Sequence, residues 1–188
     1  MRNWVISLLR AEERQNWVKS HLDFTFDFFW AVDGKKFRLS HPVLNPEAVS
    51  TFITHTTLWL QLKNLSDDNF LILEDDVEMI GDYSNIEQKL ETIPENWDIA
   101  FVGWYNTNFF GRPTQVNKDW VFIPKFWGMH SYIIRKSSID KIYKSLVNID
   151  NHIDIQLSRL ILEGRIKAYF LKEPIFKQGS QFPSQIKV

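Results

Sequence analysis

Three consecutive carboxylates, Glu74, Asp75 and Asp76, follow directly on the apolar run FLIL at residues 70–73. The run shows no alternation of apolar and polar side chains and follows the turn-forming residues SDDN, which is typical of a strand buried on both faces. Neighbouring carboxylates raise one another's cost of ionisation unless water or a cation compensates. The acidic cluster therefore predicts either a solvated loop or a site that holds a cation.

Four interpretations of this acidic cluster follow from the residues alone. It can be a solvated loop, since charge runs usually lie at the surface. It can hold Mg²⁺ or Mn²⁺ against a phosphate ester or pyrophosphate, because such ions take one or two carboxylates plus substrate oxygens. It can serve a metal phosphodiesterase with His152 and Asp154, although these groups do not form a recognised hydrolase cluster. A calcium loop counted from Asp76 is rejected, because Ile80 stands at a ligand position and a strand precedes the cluster.

The rest of the chain alternates between strand and helix patterns. Short apolar runs predict strands at residues 4–9, 24–32, 70–73, 98–102, 131–134 and 168–171. Helical spacing predicts helices over residues 10–19, 52–63, 137–147 and 153–161, the last ending at Gly164. In the third helix Ser137 is expected to be the cap, with Tyr143 and Val147 on the buried face. The alternation predicts an α/β fold with a largely parallel sheet flanked by helices, in which ligands bind beyond the carboxyl ends of strands.

Length and composition limit the classes of protein. The 188 residues are expected to form one domain, residues 1–188, and a net charge of −1 gives no overall attraction for nucleic acid. The absence of cysteine excludes disulfides and thiolate metal sites. The apolar run near the N-terminus is too short for a signal peptide or a membrane span, so we expect a cytoplasmic protein with no transmembrane segment. Peripheral contact with a membrane is left open.

Eight short motifs occur in a shared order along the chain. They are WVISLLRAEER (4–14), AVDG (31–34), THTTLW (54–59), FLILEDDVE (70–78), WDIAFVGW (97–104), WGMHSYIIRKSS (127–138), HIDIQL (152–157) and QGSQFPSQI (178–186). None is specific by itself. Their order and spacing resemble glycosyltransferase family 25, which includes lipopolysaccharide galactosyltransferases and collagen galactosyltransferase domains.

This resemblance implies a GT-A-like fold and inverting transfer of a sugar, commonly galactose from a UDP-sugar donor, to a glycan acceptor, aided by Mn²⁺ (or Mg²⁺). The sequence departs from the family pattern in two places. Thr54 stands where the family usually has Ser before the residue matching His55, and Ser184-Gln185-Ile186 stands where it has Ser-Asp-Ile. The second departure removes one expected carboxylate. A catalytically silent protein that binds nucleotide sugars or glycans is therefore the alternative function.

The resemblance and the residue chemistry together suggest roles for the site residues. Asp76, with Glu74 or Asp75, is expected to bind the metal ion, which would offset charge on the departing diphosphate. Asp154 is expected to deprotonate the acceptor hydroxyl, with His152 as a rival base. Donor-binding residues are expected to be Arg10, Arg14, Asp33, His55, Glu74, Asp75, Gly128 and His130.

Each of these roles has a purely structural alternative. Asp154 can cap the helix that it opens, and Asp33 can close a simple Asp-Gly turn. His55 can be a hydrogen-bonded core histidine, and the two arginines can be solvated helix residues. The sequence does not choose between these alternatives.

Overall fold

The computed structural model of the chain describes residues 1–105, 112–146 and 148–182. Strands in this part of the chain are β1 (Arg2–Ser7), β2 (Asp27–Trp30), β3 (Asn69–Glu74), β4 (Val77–Met79), β5 (Ile99–Phe101), β6 (Thr114–Gln115), β7 (Trp120–Phe122), β8 (Ser131–Arg135), β9 (Ala168–Leu171) and β10 (Phe176–Gln178). Helices are α1 (Glu12–His21), α2 (Gly34–Phe37), α3 (Pro46–Leu62), α4 (Ile86–Leu90), α5 (Ile139–Ser145) and α6 (Ile153–Leu162). None of these helices is long and apolar enough to cross a membrane. All the predicted strands and helices are present, with shifted ends.

The central sheet has the strand order β2-β1-β3-β8-β5-β9-β7-β6. β1 pairs in parallel with β2 and β3, and β5 pairs in parallel with β9. β8 runs antiparallel to both β3 and β5, and β7 runs antiparallel to both β9 and β6. Six of the eight described strands therefore point the same way, which confirms the α/β fold with a largely parallel sheet. The strand predicted at residues 131–134 is one of the two that are reversed.

The strand that precedes the acidic cluster lies inside the sheet, between β1 and β8. Its four apolar residues, Phe70, Leu71, Ile72 and Leu73, have no solvent exposure. Phe70 and Ile72 belong to the core that α3, α5 and α6 cover, while Leu71 and Leu73 belong to the core that α1 and α4 cover. The prediction of a strand buried on both faces is confirmed. The acidic cluster lies at the carboxyl end of β3, where this central strand leaves the sheet.

Helix α3 begins earlier than the predicted residue 52. The side chain of Asn45 accepts a hydrogen bond from the Ala48 N–H at 2.8 Å, and Pro46 occupies the first turn. An Asn cap followed by Pro satisfies one orphan amide and presets the backbone for a helix. The early start brings the first turn of α3 against Gly34 at the beginning of α2.

The prediction for α5 is wrong in two details. Ser137 does not cap it, because residues Lys136–Ser138 form a 3₁₀ turn that runs directly into the helix without a side-chain capping bond. Tyr143 is 39% exposed, since a helix of seven residues presents only a narrow buried stripe, which Ile139 and Ile142 fill. Val147 lies outside the described residues.

Candidate active site

A pocket of about 380 Å³ lies where β1, β2 and β3 end. Its wall includes residues that directly follow β1 and β2, the acidic cluster at the end of β3, and the first turns of α3 and α6. Ten of the eleven residues predicted for the site line it: Arg10, Arg14, Asp33, His55, Glu74, Asp75, Asp76, Gly128, His152 and Asp154. The structure therefore brings together residues that are more than 140 positions apart in the sequence.

Both carboxylate oxygens of Asp75 accept hydrogen bonds from other side chains of the protein. Its carboxylate is buried and accepts hydrogen bonds from Ser7 Oγ at 2.6 Å and from Arg14 Nη1 at 2.8 Å. Burial raises the pKa of Asp75 and outweighs the lowering effect of these two bonds. Because both oxygens are engaged, Asp75 anchors Arg14 beneath the pocket and keeps a positive charge close to the other carboxylates.

One carboxylate oxygen of Asp76 is buried and has no hydrogen-bond partner in the described structure. Asp76 Oδ2 accepts hydrogen bonds from Gln178 Nε2 at 2.9 Å and from Arg14 Nη1 at 3.4 Å, whereas Oδ1 is buried without a hydrogen-bond partner in the described structure. Burial raises the pKa of Asp76 to about 6, and the negative charge of Glu74 adds to the rise. A buried carboxylate oxygen without a donor is a position that a cation would stabilise.

The donor set fits a divalent ion that shares its ligands with a substrate. Asp76 Oδ1 and the carboxylate of Glu74 can supply two protein oxygens, and Mg²⁺ or Mn²⁺ typically takes one or two carboxylates plus phosphate oxygens. Within residues 1–105, 112–146 and 148–182, no three His, Asp or Glu side chains form a group that would hold a metal ion. The protein residues can therefore supply part of a coordination shell, with the rest left to a phosphate-bearing ligand.

Glu74 is connected to the core by a chain of hydrogen bonds. Trp59 Nε1 donates to the Tyr132 hydroxyl at 2.8 Å, the same hydroxyl lies 2.8 Å from His55 Nδ1, and His55 Nε2 lies 3.4 Å from Glu74 Oε1. Burial would raise the pKa of Glu74, but the bond with His55 and nearby positive charge outweigh it and leave that pKa below its usual value. Glu74 is thus held as a carboxylate.

The direction of this chain of bonds determines which nitrogen of His55 carries the proton. The indole of Trp59 can only donate, and burial raises the pKa of Tyr132 well above its usual value, so the Tyr132 hydroxyl keeps its proton. A proton on His55 Nδ1 would leave that buried hydroxyl proton without an acceptor. Tyr132 therefore donates to Nδ1, and the proton of His55 lies on Nε2, facing Glu74.

An ion pair also lines the pocket. Arg10 Nε donates to Asp33 Oδ2 at 2.7 Å, and Asp33 Oδ1 accepts from the Lys35 and Lys36 amides as the cap of α2. The hydrogen bond from Arg10 lowers the pKa of Asp33. Asp33 therefore does cap a turn, yet both charged groups also face the pocket.

Asp154 also lines the pocket, in the first turn of α6. Its Oδ2 accepts a hydrogen bond from the Gly128 N–H at 2.8 Å, and its Oδ1 accepts from the Ile155 N–H at 2.8 Å. His152, and not Asp154, occupies the cap position of the helix. Gly128 has a φ of +87°, a left-handed conformation that favours glycine, and this conformation directs its N–H towards Asp154. Each carboxylate oxygen keeps a lone pair for a further proton or donor.

A comparison of the sequence with models of protein families identifies the family of this chain. The profile of "Glycosyltransferase family 25 (LPS biosynthesis protein)" matches residues 1–157. The chain belongs to glycosyltransferase family 25. Among curated proteins, no sequence matches significantly.

Solved structures with the same fold cover nearly the whole chain of this family 25 member. A glycosyltransferase involved in glycosylation of the major capsid of PBCV-1 gives a TM-score of 0.53 at 11% identity, covering 94% of this chain and 92% of that one. Apo mouse xyloside xylosyltransferase 1 gives 0.57 at 10% identity, covering 96% and 86%. A197 from STIV gives 0.50 at 17% identity, covering 100% and 99%. These likenesses confirm the GT-A-like fold.

Several pocket residues of the family 25 site were not predicted from the sequence. Gln178, which donates to Asp76, accepts a hydrogen bond from the Tyr105 hydroxyl. Trp127 is 55% exposed at the pocket wall. Gln178 begins the motif QGSQFPSQI and Trp127 begins WGMHSYIIRKSS, so motif membership was the available signal. Residues 184–186, where the family's Ser-Asp-Ile is replaced, lie outside the described part of the chain.

His130 is the predicted site residue that does not line the pocket. Its ring is buried, both ring nitrogens lack hydrogen-bond partners in the described structure, and burial lowers its pKa. Its carbonyl oxygen accepts the Glu74 N–H at 2.9 Å. His130 therefore lies behind the acidic cluster, and its donor-binding role stays a prediction.

Proposed function

We propose that this family 25 protein is an inverting glycosyltransferase that moves galactose from UDP-galactose to a hydroxyl group of a glycan, such as lipopolysaccharide or another surface oligosaccharide. The observation that carries the proposal is that Asp76, Glu74 and Asp154 line one pocket. Such a reaction needs charge compensation for a diphosphate and a base for the acceptor in one cavity. The cytoplasmic location expected from the sequence stays a prediction.

Charges around the acidic cluster suit a nucleotide diphosphate. Mn²⁺ or Mg²⁺, held by Asp76 Oδ1 and Glu74, would supply Lewis-acid compensation for the diphosphate. Arg14, buried against Asp75, contributes a fixed positive charge that needs no rearrangement during the reaction. Arg10 and Asp33 offer one donor group and one acceptor group to the ribose or uracil end of the donor.

Asp154 and His152, which line the same pocket, suit the acceptor. Asp154 accepts the proton of the acceptor hydroxyl, and the oxygen lone pair forms a bond to the anomeric carbon. The bond from that carbon to the phosphate oxygen breaks, and its electron pair leaves with UDP. Attack from the face opposite UDP inverts the anomeric configuration. Asp154 suits this step because the amides of Gly128 and Ile155 fix its orientation, while His152, also in the pocket, is the alternative base.

The test is release of UDP from a panel of UDP-sugars, with Mn²⁺, Mg²⁺ or EDTA and with or without glycan acceptors. We expect UDP-galactose turnover that an acceptor stimulates and that Asp76→Ala abolishes. Asp82→Ala, which removes an exposed hydrogen-bonded carboxylate outside the pocket, is the matched control and should keep full activity.

Other outcomes separate the alternatives. Metal-dependent donor binding without turnover of any acceptor would favour the catalytically silent binding protein. Full activity of Asp76→Ala would contradict the metal assignment. Hydrolysis of a generic phosphodiester such as bis-p-nitrophenyl phosphate would favour the phosphodiesterase.

A further inference from the structure

A region beside α2 exposes large apolar side chains. Val43, Leu9 and Phe37 are 80%, 70% and 61% exposed, the highest values for large apolar residues in the described structure. Phe37 ends α2, and Val43 lies in the segment after it. Leu9 precedes Arg10, whose Nε lies 2.7 Å from Asp33 Oδ2 at the start of α2. Phe37 and Val43 therefore share one segment, and Leu9 is next in the chain to a residue that contacts the start of that segment.

The segment that carries Phe37 and Val43 is held in place from within. The ring of His41 accepts hydrogen bonds on Nδ1 from the Val43 and Leu44 amides at 3.2 and 3.0 Å. Its Nε2 therefore carries the proton and donates to the Ile149 carbonyl oxygen at 2.7 Å. Leu44 is buried against the first turns of α3. Phe37 and Val43 are thus exposed on a loop that these hydrogen bonds and the burial of Leu44 hold in place.

The same loop is basic. Residues 34–43, GKKFRLSHPV, contain Lys35, Lys36 and Arg38 and no acidic residue, in a chain whose net charge is −1. Lys35 lies 3.9 Å from Glu47, while Lys36 and Arg38 form no ion pair with the described residues. We call residues 34–43 the basic apolar loop. Cations and exposed apolar side chains therefore share one short surface segment.

We propose that the basic apolar loop, with Leu9, docks on an anionic lipid membrane. Apolar side chains at a membrane interface gain free energy by leaving water, and basic side chains are attracted to anionic head groups. A soluble polyanion would be bound by the basic side chains but would not bury Phe37 and Val43. The combination therefore favours a lipid surface. With few apolar groups to insert, the binding is expected to be weak and reversible.

Docking at this loop would also orient the pocket relative to the membrane surface. Gly34 and Lys35 line the pocket, and the loop continues from them towards Val43. A membrane bound there would lie next to the pocket wall, where an acceptor carried on a lipid could enter. This consequence rests on the proposed function, whereas docking itself does not.

The test is co-sedimentation of the purified protein with vesicles of phosphatidylcholine alone or mixed with phosphatidylglycerol. We expect binding to the mixed vesicles only, weakened by salt. Lys36→Gln with Arg38→Gln should weaken it about 25-fold, since each basic side chain near an anionic surface is worth about fivefold. Phe37→Ser with Val43→Ser should weaken it at least about tenfold because the inserted apolar surface is removed. Circular dichroism checks that each variant is folded.

The matched control is Leu162→Ser with Lys118→Gln, which changes an apolar residue that is 51% exposed and a lysine side chain that is 82% exposed, both outside the loop. It should bind like the wild type. Absence of wild-type binding to the mixed vesicles would overturn the proposal, as would loop variants that bind as tightly as the control. A dimer that dissociates in Phe37→Ser with Val43→Ser would instead assign the loop to a second copy. Binding to dextran sulfate that competes fully with vesicles and is unaffected by the apolar substitutions would assign it to a polyanion.

Discussion

Replacing Asp76 by Asn should stabilise the fold, although it removes the proposed metal ligand. The pKa of Asp76 is about 6 in the folded protein, against an ordinary value of 3.8, because the side chain is buried and lies near Glu74. A difference of about two pKa units costs the ionised form about 3 kcal/mol relative to the unfolded chain, at about 1.4 kcal/mol per unit. Asn can still accept the Gln178 bond, but its amide hydrogens would face the position of Oδ1, where no acceptor is described. We therefore expect a gain of about 1–3 kcal/mol above pH 6.

The sign of the pH dependence follows from the direction of the shift. Because the folded-state pKa is raised, the folded protein binds the proton more tightly than the unfolded chain between about pH 4 and pH 6. The contribution of Asp76 to stability is therefore lost as the pH rises through this window. The stability difference between Asp76→Asn and the wild type should be near zero at about pH 4 and largest above about pH 6.

Urea unfolding of both proteins in EDTA, across this pH range, measures the difference. The matched substitution Asp82→Asn should give no gain, because hydrogen bonding with Ser84 lowers the pKa of this exposed carboxylate. Added Mn²⁺ should raise the melting temperature of the wild type and not that of Asp76→Asn. A gain that is absent above pH 6, or that is as large at pH 4 as at pH 7, would refute the assignment of a buried charge cost to Asp76.

Three further predictions test the remaining parts of the site. Asp154→Asn should slow sugar transfer about 10²–10⁴-fold, measured by product formation, while donor affinity, measured by titration, should not change. Near-normal transfer by this variant would exclude Asp154 as the base. Tyr132→Phe should shift the ring ¹⁵N resonance of His55 Nδ1, because that nitrogen loses its hydrogen-bond donor while Glu74 keeps the proton on Nε2, and should raise the donor KM; an unchanged Nδ1 resonance would contradict the hydrogen-bond chain. Gly128→Ala should lose roughly 1–2 kcal/mol of stability in urea unfolding and most of the activity, because its φ is positive and its N–H orients Asp154. Gly164→Ala, with a φ of +69° and open space around it, should lose similar stability at normal activity, and equal activity losses in both variants would contradict a positioning role for Gly128.

Much of the fold was predictable because its signals are local. The uniform apolar run at residues 70–73 predicted a strand buried on both faces, and the two cores on either side of β3 confirm it. Gly164 was predicted to end a helix, and it lies in the left-handed conformation directly after Glu163, the C-cap residue of α6. The direction of β8 was not predictable, because a strand has the same apolar pattern whichever way it runs.

Two predictions for α5 were wrong because the helix is shorter than its sequence pattern and begins from a 3₁₀ turn. Ser137 followed by Asp140 resembles a cap, yet a 3₁₀ turn continuous with α5 takes its place. Tyr143 has the spacing of a buried residue, but the short helix leaves it partly in solvent.

By itself, the sequence determined that an acidic cluster ends a buried strand of an α/β fold, because apolar periodicity and turn residues act over short stretches of chain. Most of the residues that it nominated for the site line the pocket. Only the tertiary structure decided what those residues can do. Both carboxylate oxygens of Asp75 accept hydrogen bonds from Ser7 and Arg14, whereas Oδ1 of Asp76 has no hydrogen-bond partner in the described structure. These differences arise from contacts between residues that lie 60 or more positions apart in the chain, and no local pattern encodes which partner a side chain will meet.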